Sequence, residues 1–189
     1  MTQTALKLLL LLTFAGHAAL WYCDKIITCL PGGRFSFKQL QDNRLLAATM
    51  GDTPPAQPMR SIMLGIFAMT AMLPGYLALS DWMRQFSETY AVLMAAGSIL
   101  FFLPGIAHHV FCGAVEWAYL RMGKTAEARK QILTFFRQTS ATMYACYLGL
   151  LLFSVSFFLA VVSGATSLPR WAACAIRCPW CCCLRRSAL

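Results

Sequence analysis

Residues 143–165 read MYACYLGLLLFSVSFFLAVVSGA, twenty-three positions without a lysine, arginine, aspartate, glutamate or histidine. A helix rising 1.5 Å per residue needs about 20 mostly apolar residues to cross ~30 Å of hydrocarbon, so this stretch reads as a membrane span. Three earlier runs read the same way: Leu8 to Tyr22 (LLLLLTFAGHAALWY), Ser61 to Leu79 (SIMLGIFAMTAMLPGYLAL) and Val92 to Phe111 (VLMAAGSILFFLPGIAHHVF). The expected fold is an all-α, polytopic transmembrane helix bundle of about four spans, near residues 6–23, 61–80, 91–115 and 140–165. These spans fill an integral membrane domain over residues 1–170, and a Cys/Arg-rich tail follows over 171–189.

Composition supports this class, with 59% hydrophobic residues, 12% charged residues and a mean hydropathy of +0.60. Those values lie far from the balance of a soluble domain. The net charge of +9 raises the question of nucleic acid. The basic residues, however, flank apolar runs rather than forming one patch with interleaved aromatics, so topology and anionic lipid explain the charge and no nucleic-acid partner is expected.

Orientation follows from where the cations fall. Lys25, Arg34, Lys38, Arg44 and Arg60 lie between spans one and two, and Arg121, Lys124, Arg129, Lys130 and Arg137 between three and four. Only Lys7 and Arg84 occupy the other face before the tail. The positive-inside rule then places loops 24–60 and 121–138 in the cytoplasm and the amino terminus outside, in a bacterial inner membrane. Lys7, the run Leu8 to Phe14 and the small residues Ala15, Gly16 and Ala18 also have the look of a secretory signal. Cleavage there would put a five-charge loop outside, and Trp21 and Tyr22 suit an interfacial belt closing a helix, so the run is read as a span.

The loops carry their own signals. Pro31, Gly32 and Gly33 predict a turn, and Ser36 predicts the cap of a short helix with Phe37, Leu40, Leu45 and Leu46 on its apolar side. Pro54, Pro55 and Pro58 predict an extended lead into the second span. Thr125 predicts the cap of another short helix, with Ile132, Leu133, Phe135 and Phe136 apolar. Leu73-Pro74-Gly75 and Leu103-Pro104-Gly105 predict kinks within the second and third spans. The small residues Ala95, Ala96, Gly97 and Ser98 predict close helix packing.

The candidate site is a polar cluster on the third span: His108, His109, Cys112 and Glu116, with Asp24 at the inner end of the first span. His17 lies further back on that same span. Spacings of four and seven residues put the third-span groups on one broad helix face. Ionisable groups at membrane depth are costly unless they pair or reach water, which makes such a cluster a functional hypothesis by default. Three readings stay open: structural hydrogen bonding between helices, a proton or substrate path with histidine exchanging protons, and a metal site. No paired metal-ligand motif and no nucleophile elbow occurs, so no cofactor, metal or catalytic residue is assigned.

Five of the nine cysteines crowd the tail at Cys174, Cys178, Cys181, Cys182 and Cys183. Cys178-Pro-Trp-Cys181 has redox or metal spacing but lacks the strand and helix that give the motif meaning. A leucine run encoded by repeated CTG becomes cysteine in another reading frame, so the expectation is that this tail is out of frame and the intact protein continues with further spans. That would also explain why four arginines sit on the face that should be poor in them.

Asp24 closing the first helix, Arg60-Ser-Ile-Met-Leu-Gly leading to Leu73-Pro-Gly-Tyr-Leu-Ala-Leu, and Ala107-His-His-Val-Phe follow one another in an order that resembles a family of uncharacterised bacterial six-helix integral membrane proteins. The resemblance covers about residues 5–170. It implies two further carboxyl-terminal helices and carries no established activity. The leading expectation is a transport-like or non-catalytic membrane protein. The alternatives are a small membrane-embedded enzyme acting on a lipid-like substrate, with a histidine as acid or base and Glu116 as its partner, and a structural or assembly subunit. The expected partners are the lipid bilayer and a second copy or another membrane protein.

Overall fold

The computed structural model describes residues 2–173; the cysteine and arginine positions of residues 174–189 lie outside the described residues. The chain is essentially all helical, and among the described residues four helices are long and apolar enough to cross a membrane: α1 (Gln3–Thr28), α3 (Ala56–Met83), α4 (Glu88–Arg121) and α6 (Ala141–Val162). Side-chain caps start two of the four, α1 and α4, whereas α3 and α6 begin without one. Thr2 accepts the Ala5 amide to start α1, and Ser87 accepts the Tyr90 amide to start α4 with Glu88 in its positive first turn. Both α3 and α4 run through their prolines, Pro74 and Pro104, as single helices.

The four helices pack in chain order, α1 on α3, α3 on α4 and α4 on α6. In lipid the hydrophobic effect does not drive helices together, so close backbone approach and interhelical hydrogen bonds must do so. On the α4–α6 seam a Cβ on Gly149 would lie 2.3 Å from the Phe101 backbone nitrogen, and one on Gly97 would lie 2.7 Å from that of Phe153. Of the four small residues expected to pack, Gly97 and Ser98 are buried, while Ala96 faces outward. The α1–α3 seam has close glycines too, a Cβ on Gly16 lying 2.9 Å from Ala68 O and one on Gly75 2.8 Å from Leu9 O, and adds polar side chains. Ser61 Oγ donates to Cys23 O at 2.9 Å, Gln57 Nε2 to Ile26 O at 2.7 Å, and Thr13 Oγ1 lies 3.3 Å from Met72 O. Tyr76 fills the middle of the bundle, with ring centroids 4.9 Å from Phe102 and 4.7 Å from Phe153.

The two basic loops meet at one end and form a cap. The first makes a two-stranded hairpin, β1 (Cys29–Leu30) and β2 (Gly33–Arg34), turning at Pro31 and Gly32 as expected. The helix expected after Ser36 is two pieces rather than one. Ser36 caps a 3-10 turn over Phe37–Gln41 with a reciprocal bond to Gln39, and Asp42 then takes an extended conformation and caps α2 (Asn43–Met50). An aspartate that caps a helix cannot also continue the preceding one, which is why the break falls there. The second loop holds α5 (Ala126–Thr139), started by Thr125 as its spacing predicts. Asn43 Nδ2 donates to Lys124 O at 3.1 Å, Tyr119 Oη lies 2.9 Å from Asn43 Oδ1, and Lys124 Nζ donates to Gly51 O at 2.6 Å. Arg129 Nη1 reaches Leu40 O at 2.9 Å. Leu30, Leu46, Met50, Tyr119, Ala128 and Ile132 form the apolar centre of this cap.

Candidate functional site

The polar residues gather where the spanning helices enter the cap. At 34 residues α4 is about 51 Å long, more than the ~30 Å of hydrocarbon and the ~45 Å that includes headgroups. A 20-residue apolar segment counted from Ala91 ends at Val110, which puts His108 and His109 near its cap-side end and Glu116 beyond it. Asp24 and Lys25 near the end of α1, and Ser61 directly after Arg60 on α3, mark the same level from two other helices.

His109 is buried at the junction of three helices. Its Nε2 lies 3.0 Å from the carbonyl of Ser61 on α3, and its Nδ1 lies 3.9 Å from Asp24 Oδ1 on α1. A carbonyl only accepts, so Nε2 carries a proton and Nδ1 is left as the acceptor nitrogen. Asp24 is 61% exposed while His109 is 9% exposed, so the carboxylate connects an enclosed imidazole to the outside of the bundle. Gly65 makes room for that ring, since a Cβ there would come 2.1 Å from Nε2.

The neighbouring histidine turns the other way. His108 Nδ1 lies 3.4 Å from Thr142 Oγ1 on α6, and its Nε2 lies 3.5 Å from Cys112 Sγ. Thr142 already donates its hydroxyl proton to Thr139 O at 2.7 Å, so it can only accept from His108. His108 therefore carries its proton on Nδ1 and accepts at Nε2 from the Cys112 thiol, the opposite tautomer from His109.

One turn further on, Cys112 and Glu116 open onto a cavity of about 200 Å³ beneath the cap, lined otherwise by groups such as Phe37, Leu46, Ile132 and Phe136. Glu116 is 7% exposed, and its Oε2 has no hydrogen-bond partner. The five candidate residues thus divide into three environments: Asp24 with His109, His108 with Cys112, and Glu116 facing the cavity with Cys112 beside it. The single broad face read from spacing is split because His108 and His109, about 100° apart on the helix, meet different neighbours. His17 pairs with Tyr76 at 3.1 Å, two turns of α1 away from Asp24. Among the described residues no three of the His, Cys, Asp and Glu side chains converge as a metal shell. Sequence reading missed the Ser61 carbonyl, the Thr142 hydroxyl and the Gly65 gap. Only Gly65 left a trace, as a glycine within an apolar run.

The fold and this polar margin define a polytopic helical membrane protein. The chain belongs to DUF6796, a family of unknown function whose model matches residues 1–186. No curated protein and no solved structure matches it.

Proposed function

We propose that the protein is a transport-like, non-catalytic component of a bacterial inner membrane, with its basic cap in the cytoplasm and His109 as a proton-exchanging joint between α1, α3 and α4. The observation that carries this reading is the wiring of His109: one nitrogen held by the Ser61 carbonyl, the other facing the exposed Asp24 carboxylate. An imidazole can take a second proton on its free nitrogen, and a charge gained there would face Asp24 and pull α1 and α4 together. Ten lysines and arginines on the capped side, against Lys7 and Arg84 before the tail, support the orientation.

Vesicles reconstituted with the protein, loaded with a pH-sensitive dye and given an imposed membrane potential, test the proton path. Wild type is expected to acidify the lumen and His109→Ala to fall to the rate of protein-free vesicles. Equal rates for both proteins, or no rate above that background, rule it out. A second reading, an enzyme acting on a lipid-like substrate, is favoured by one observation, the chain from Cys112 thiol to His108 to Thr142 beside an apolar cavity. It predicts a changed lipid product in a Cys112→Ala strain, where the transport reading predicts none. A structural subunit would alter neither measurement and would co-purify with a partner.

A further inference from the structure

The chamber beneath the cap has one feature that hydrocarbon packing does not explain. Its lining is apolar apart from Thr28, Ser36, Cys112 and Glu116, and it contains no lysine, arginine or histidine. Glu116 is the single acidic group facing it, and the ion pairs among the described residues do not involve Glu116. A buried carboxyl is costly without a hydrogen-bonding or charged partner, yet Glu116 Oε2 is enclosed and unpartnered. A core-facing leucine would have filled this place more cheaply if packing were the only requirement.

We infer that the cavity between α4, α5 and the hairpin cap is a binding site for a small amphipathic amine, with its ammonium on Glu116 and a single hydrocarbon chain among Leu46, Ile132, Leu133 and Phe136. The ammonium supplies what the site lacks, a countercharge and donors for the free carboxylate oxygen. The hydrocarbon lining supplies the rest of the affinity. A volume of about 200 Å³ holds on the order of seven atoms the size of a water molecule at ~30 Å³ each. That fits one short alkyl chain and excludes a two-chain lipid. The position suits entry from the interface, because the chamber lies beyond the cap-side end of the apolar segment and Ser36 and Phe37 on its rim are exposed.

The test is thermal unfolding of the full chain in lipid nanodiscs with n-heptylamine, heptan-1-ol or heptanoate, each compared with the ligand-free midpoint of the same variant. At saturation the amine is expected to raise the wild-type midpoint by about 5 °C, the alcohol by less, and heptanoate not at all. Glu116→Gln should bring the amine down to the alcohol's shift. Leu133→Trp, which fills the chain-binding part, should abolish both. If Glu116→Gln fails to fold, Leu133→Trp alone decides, and an undiminished amine shift there sinks the site. The proposal is equally overturned if wild type responds to none of the three, as a chamber holding only water would, or if amine and heptanoate act alike, as non-specific partition into the bilayer would require.

Discussion

At the scale of single residues, the polar margin is controlled by space as much as by chemistry. His109 reaches the Ser61 carbonyl only because Gly65 leaves room for the imidazole. Gly65→Ala is therefore expected to push the ring off that carbonyl and to cost roughly 1–3 kcal/mol through overpacking, read as a lowered unfolding midpoint in nanodiscs. Ser61→Ala keeps the carbonyl and removes only the side-chain bond to Cys23 O. Its expected cost is much smaller, about 0.6 kcal/mol, the average for interhelical hydrogen bonds in membranes. If the serine variant proved the more damaging of the two, steric room at Gly65 would not be what holds His109 in place. The identity of the candidate residues was legible in the sequence because ionisable side chains in apolar runs stand out. Their partners were not, since a backbone carbonyl and a missing Cβ leave no mark in residue type.

At the scale of elements, each helix end obeys local rules while each helix seam depends on the neighbour. Thr125 accepts the Ala128 amide and so starts α5, the helix that roofs the cavity with Ile132 and Phe136. Thr125→Ala should cost about 1 kcal/mol and loosen that roof, seen as faster amide exchange in α5 with α4 unchanged. On the α4–α6 seam, Gly149→Val would force a side chain against the Phe101 backbone and cost roughly 1–3 kcal/mol. Ala96→Leu on the outward face of α4 should stay within about 0.5 kcal/mol of wild type. Comparable losses for the two would mean that small residues on α4 matter for something other than this seam. The sequence stretch Ala95 to Ser98 announced small residues at an interface, but the inward direction of Gly97 and Ser98 required the partner helix.

At the scale of the molecule, the chain folds its two most basic loops into one structure. Asn43 joins them, bonding both Tyr119 and Lys124 across the gap between sequence-distant segments. Asn43→Ala should remove both bridging bonds while the Tyr119 hydroxyl keeps Lys124 O as an acceptor at 3.1 Å, destabilise the cap by about 0.5–1.5 kcal/mol per bond lost, and speed proteolysis in the loops before it affects the spans. The same assembly makes orientation measurable, because Cys29 is exposed on the capped side. With the Cys29 peptide read by mass spectrometry, an impermeant maleimide is expected to modify it in inside-out vesicles and spare it in right-side-out ones. The reverse pattern would place the basic cap outside and break the charge argument.

The sequence by itself determined the apolar solvent, the four helices of spanning length among the described residues and the places where several helices start. Hydropathy over 20 residues and side-chain caps act within a few turns of chain, so they are readable without a fold. Tertiary structure alone decided that His108 and His109 face different helices, that Asp24 meets His109, and that Glu116 is enclosed against a cavity with no cation. Each of these depends on which backbone lies opposite a given helix face, and in a membrane that choice rests on packing of small residues and interhelical bonds between segments distant in sequence.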